Sequence, residues 1–103
     1  MKKELKMLQE FYDKFSSLDT DNMSQEYYEA RIHFRYKLMQ EELNEYVEAS
    51  QKWDMKDIAK ELCDLLYTVY GTIHEHGLEH VIEDCFAEVH ASNMSKDYGK
   101  EKA

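Results

Sequence analysis

From Glu61 to Thr72 the chain reads ELCDLLYTVYGT, apolar or aromatic at nearly every position. A helix of that make-up is buried on most of its sides. Its plainly polar side chains, Glu61, Asp64, Thr68 and Thr72, follow one another at intervals of three, four and four residues, which puts them on one narrow stripe of an α-helix. Random solvent exposure would not usually draw such a line, and burying ionised carboxylates without a partner costs several kcal/mol, which implies compensation by cations.

The rest of the chain is also helical in character. Its 103 residues include no Pro and three Gly, so helix formers dominate and strand punctuation is missing. The length suits one all-α domain over residues 1–103 with four or five helices, able to bury roughly 60 to 70% of its unfolded surface. Apolar periodicity predicts a first helix over Lys3–Phe15, then a break over Ser16–Ser24 that ends in a capping serine. A long helix follows over Gln25–Ser50. Asp54 is placed to cap a third, which runs to His74 or His76 before Gly77 stops it. A fourth helix is expected over Leu78–Ala91, with Val81, Ile82, Cys85, Phe86 and Val89 on one side, followed by a polar loop-like tail over 92–103.

Acidic residues outnumber basic ones 22 to 13, a formal net charge of −9. That balance argues against a nucleic-acid polymer or an anionic membrane as partner, since both are held through clustered cations. The N-terminal stretch MKKELKMLQEFYDKF carries charges throughout and has neither a signal-peptide core nor a spanning segment. Cys63 and Cys85 read as free, buried thiols of a reducing compartment, so a cytoplasmic protein is expected.

Two short words concentrate the acids: Glu42-Leu-Asn-Glu45 and Glu61-Leu-Cys-Asp64. On the second helix Leu38, Glu42, Glu45 and Ala49 share one line, beside an apolar line through Met39, Leu43 and Tyr46 or Val47. Within each word the two carboxylates stand about 5 to 6 Å apart at Cβ, close enough to share a cation. Either word alone is a common surface pattern; two on inward lines of successive helices point to a cluster that needs compensating cations. An all-oxygen ligand set suits Mg²⁺, with Mn²⁺ as a substitute.

At these words the chain resembles the MazG-like superfamily of all-α NTP pyrophosphohydrolases, which carries EExxE and ExxD motifs. Glu41-Glu42-Leu-Asn-Glu45 and, 15 residues on, Glu61-Leu-Cys-Asp64-Leu-Leu-Tyr carry the likeness, and Ser92-Asn93-Met94-Ser95-Lys96 adds to it. The resemblance implies Mg²⁺-dependent hydrolysis of a nucleoside triphosphate between its α and β phosphates. It further implies Glu42, Glu45, Glu61 and Asp64 as metal ligands and catalytic residues, with Asn93 and Lys96 contacting the nucleotide. Related members include phosphoribosyl-ATP pyrophosphohydrolases, dimeric dUTPases and house-cleaning enzymes, and no motif here selects among them. The chemistry agrees with the residues, because phosphoryl hydrolysis needs charge neutralised on phosphate oxygens and an oriented water.

Other side chains admit two readings. Arg31, Arg35, Lys37 and Lys60 lie near the acids and are placed either to meet phosphate oxygens or to pair with Glu one helical turn away. Trp53, at the junction of the second and third helices, either stacks on a base or plugs the corner. The histidines match no zinc spacing, and no Glu has His three residues later, which weakens a ferritin-like di-iron site. A third helix apolar almost all round cannot be covered by three others in so short a chain, so a homodimer or homotetramer is expected. The resemblance implies that the long helices of its subunits form a four-helix core. The rival to an enzyme is a non-catalytic acidic helical module that binds a protein partner and keeps a residual metal site.

Overall fold

The computed structural model describes residues 1–15 and 23–96. Among them are four α-helices and no strand: α1 (Lys2–Phe15), α2 (Gln25–Gln51), α3 (Met55–Glu75) and α4 (Ile82–Met94). Most of the expected break after α1, and the end of the tail, lie outside the described residues.

Local signals set three of the helix ends. Ser24 caps α2 by accepting the Tyr27 N–H at 3.1 Å, and Asp54 caps α3 by accepting the Asp57 N–H at 3.2 Å. At the far end of α3 Gly77 takes the left-handed conformation, φ 70°. There its N–H donates to His74 O at 3.0 Å and the Leu78 N–H reaches Ile73 O at 3.0 Å, a Schellman closure that favours glycine.

The fourth helix departs from expectation at both ends. Leu78–Val81 is taken up by the turn, in which Leu78 O accepts from Val81 N and Ile82 N. The helix therefore starts at Ile82 and runs through Met94, taking Ser92 and Asn93 out of the expected loop. Its apolar side is uncovered, with Phe86 61% and Val89 57% exposed, and it makes no extended packing with α1–α3.

The two long helices form the main packed pair, antiparallel across the short Lys52–Asp54 connection, and α1 lies on α3. Where the three meet, Arg35 of α2 is buried. Its Nε donates to Thr72 Oγ1 at 3.0 Å, its Nη1 to the Tyr12 hydroxyl at 3.2 Å and its Nη2 to the Thr68 carbonyl at 2.9 Å. Arg31, one turn earlier, forms a two-pronged pair with Glu75, at 3.1 and 2.7 Å. Gly71 makes room for this node, because a Cβ there would lie 2.7 Å from Arg35 Nη2 and 3.1 Å from the Tyr12 oxygen.

The apolar core of a single chain is thin: among the described residues the only buried hydrophobic side chains are Leu5, Leu8 and Ala49. On α3 Leu62, Leu66 and Tyr67 are exposed, and on α2 so are Leu43 and Val47. Of the line beside the acids of α2, Met39 and Tyr46 are half-buried while Leu43 and Val47 face outward. Both cysteines are free but exposed, which corrects the expectation of buried thiols: Cys63 lines an open cavity beside the start of α1, and Cys85 lies on α4, which makes no extended packing with the other helices.

The Arg35 node makes a sign-reversed prediction. Gly→Ala inside a helix normally stabilises by about 1 kcal/mol, but Gly71→Ala will lower Tm because its methyl displaces a guanidinium held by three hydrogen bonds. Arg35→Met will cost about 3 kcal/mol by stranding its partners. In that background Gly71→Ala will be neutral or stabilising, and thermal melts of the two single variants and the double variant measure the coupling.

Candidate metal centre

The polar line of α3 faces α2 and divides into two halves. Toward the C-terminal end of α3, Thr68, Thr72 and Glu75 meet Arg31 and Arg35, so two guanidinium groups share one carboxylate and the hydrogen bonds are satisfied. Toward its N-terminal end Glu61 and Asp64 meet Glu42 and Glu45, and the four offer ligand oxygens that all lie within 4.8 Å of one another. The antiparallel pairing explains the match: the register that sets Arg35 against Thr68 and Thr72 sets Glu42 and Glu45, two and three turns on, against Asp64 and Glu61.

Burial across the cluster is graded. Glu61 is buried, Glu42 and Asp64 are half-buried and Glu45 is exposed. Glu42 Oε2 and Glu61 Oε1 are shut off from solvent and have no hydrogen-bond partner. A buried carboxylate oxygen left so is costly unless it is protonated or meets a cation. Lys60 supplies part of the compensation from the rim, its Nζ 2.8 Å from Asp64 Oδ2 and 3.8 Å from Glu61 Oε2.

Protons are therefore held more tightly here than on ordinary glutamates. Burial pushes the Glu42 carboxyl above its usual 4.5, and the neighbouring Glu45 and Asp64 push it further. Burial raises Glu61 as well, opposed by Lys60 and reinforced by Glu45. Such clustered acids are the familiar precursor of a cation site, in which the ion replaces the proton. The donor set fits a hard divalent ion, being four carboxylates with two orphaned oxygens among them and no nitrogen or sulfur in the group.

The remaining sequence candidates lie elsewhere. Arg35 is committed to the interior node, its guanidinium bonded to Tyr12, Thr68 and Thr72. Arg31 pairs with Glu75 across helices rather than with a glutamate of its own helix. Asn93 and Lys96 bond to each other at 3.0 Å on the exposed end of α4. Trp53 is 86% exposed, so it plugs no corner within the chain. It also adopts φ 58°, a left-handed conformation that costs a non-glycine residue roughly 1 to 2 kcal/mol. Glu75 went unnoticed in the sequence, although it extends the polar line by a further three residues past Thr72.

No helix is long and apolar enough to cross a membrane among the described residues. The family model for phosphoribosyl-ATP pyrophosphohydrolase matches residues 8–93, a span that contains both acidic words, the Arg35 node and most of α4. Neither the curated proteins nor the solved structures give a match. With that match over most of its length, the chain belongs to the phosphoribosyl-ATP pyrophosphohydrolase family, in the MazG-like superfamily, and is a pyrophosphohydrolase acting on a nucleotide.

Proposed function

We propose that this protein hydrolyses a (deoxy)nucleoside triphosphate, or a related nucleotide such as phosphoribosyl-ATP, between the α and β phosphates, with Mg²⁺ held by Glu42, Glu45, Glu61 and Asp64. The observation that carries this reading is the convergence of four carboxylates, with oxygens of Glu42 and Glu61 orphaned, at the seam of the long helices. Bound there, Mg²⁺ would neutralise charge on the phosphate oxygens and so make the phosphorus more open to attack by water.

The chain's own groups do the rest. Asp64 and Glu61, on a helix pinned to α2 through Arg35, offer oxygens in a fixed frame and so need little rearrangement on binding. A carboxylate of the cluster would take the proton of the attacking water. Lys60 is at hand for phosphate oxygens, and Trp53 offers an exposed aromatic face to a base. Asn93 and Lys96 would reach nucleotide bound at a boundary between subunits.

The exposed apolar residues support assembly as a homodimer or homotetramer. Leu43 and Val47 of α2 and Leu62, Leu66 and Tyr67 of α3 would be covered by the same helices of a second copy. With acidic charge, free thiols and no membrane-crossing helix among the described residues, a cytoplasmic house-cleaning or biosynthetic role on free nucleotides fits best.

Glu61→Gln and Asp64→Asn will each leave the helical circular dichroism unchanged and lower Mg²⁺-dependent pyrophosphate release by about 100-fold or more. Full turnover in either variant would overturn the assignment. Proton and metal should also compete. Because Glu42 and Glu61 bind protons more readily folded than unfolded, their destabilising effect is in force at neutral pH. It is relieved as pH falls through their raised values toward 4.5. The metal-free protein will therefore gain Tm from this pair as pH is lowered from neutral toward 4.5, whereas Glu42→Gln/Glu61→Gln will not. Mg²⁺ affinity will fall over the same range, as paired calorimetric titrations would show.

A further inference from the structure

Of the cations near the four acids, Lys60 alone is recorded in contact with them among the described residues, and it belongs to the same turn of α3 as Glu61. Its ammonium bonds Asp64 Oδ2 at 2.8 Å and lies 3.8 Å from Glu61 Oε2. Its side chain is 65% exposed while that of Glu61 is 11% exposed, so the charge sits at the mouth of the cluster and the stem remains in water. Farther in, Glu61, about nine-tenths buried, keeps Oε1 without a partner. The lysine therefore compensates Asp64 and one oxygen of Glu61 and leaves Glu61 Oε1 and Glu42 Oε2 unsatisfied.

We propose that Lys60 is a built-in competitor for the divalent ion: it occupies Asp64 until the ion arrives, must be displaced for Asp64 to ligate, and thereby keeps affinity low without nucleotide. This rests on the metal reading above and goes beyond it, because the lysine is assigned a regulatory role in metal loading. The geometry makes displacement easy. An exposed ammonium on a four-carbon stem leaves at little cost, since such pairs contribute little net stability, and hydration replaces the lost bond. Once released, the same ammonium is positioned at the rim, where phosphate oxygens of an incoming triphosphate would accept from it. Metal and nucleotide would then load together, each removing an obstacle to the other.

The test is Mn²⁺ binding to the nucleotide-free, full-length protein, followed by isothermal calorimetry and by loss of the free-ion paramagnetic resonance signal. Lys60→Gln is expected to bind Mn²⁺ about threefold or more tightly than wild type, the scale of one exposed ion pair. Lys60→Arg, which keeps the charge, is expected to stay near wild type. Lys37→Gln, which removes a lysine of α2 not seen on the cluster, controls for net charge and is expected to leave affinity unchanged. If wild type and Lys60→Gln bind Mn²⁺ equally, or the variant binds more weakly, the competitor role is overturned while the metal reading stands. An equal gain in Lys37→Gln also overturns it, since the effect is then one of net charge. If none of the proteins binds Mn²⁺, the metal reading fails and the proposal fails with it.

Discussion

The seam between α2 and α3 is the constraint on which the rest depends. Two antiparallel helices press polar lines together inside an otherwise apolar contact, and the charges along that seam are unevenly matched. At one end Arg35 spends its guanidinium on Tyr12, Thr68 and Thr72 while Arg31 meets Glu75. At the other end four carboxylates face one another with one lysine at the rim. The arginine half fixes register and holds α1 through Tyr12; the acidic half stores a demand for positive charge. On the metal reading proposed above, stability and function would occupy opposite ends of one interface, with the arginine end holding the acids together against their repulsion.

That division also accounts for the thinness of the core. A chain that devotes its longest helix pair to a polar seam has fewer apolar residues to turn inward, and the only buried hydrophobic side chains among those described are Leu5, Leu8 and Ala49. Its remaining apolar faces, on α2, α3 and α4, lie on the outside. A small domain with so little buried area is marginal by itself, so oligomerisation and metal binding would both add to its stability.

Much of this was legible in the sequence because it depends on spacing along a helix. The line Glu61, Asp64, Thr68, Thr72 needs only helical periodicity to be seen, and Ser24, Asp54 and Gly77 mark helix ends through short-range chemistry. The role of Arg35 was not legible, since its partners lie on two other helices and the nearest-neighbour rule offered a surface glutamate instead. The start of α4 was misplaced for a similar reason: Leu78 and Val81 continue the apolar pattern but are consumed by the turn after Gly77. Exposure of Cys63, Cys85, Leu43 and Val47 follows from which faces find a partner helix, which periodicity does not specify. Spacing pointed to the acidic words and the resemblance to their role; the packing shows which oxygens converge.

The central claim is that the four acids form one divalent-cation site. Anomalous diffraction at the manganese edge, from crystals equilibrated with Mn²⁺ and a nonhydrolysable nucleotide, tests it most directly. The account predicts a peak bounded by Glu42, Glu45, Glu61 and Asp64, with Lys60 withdrawn from Asp64. A saturated crystal with no peak there, or with manganese only at other acids, would contradict it.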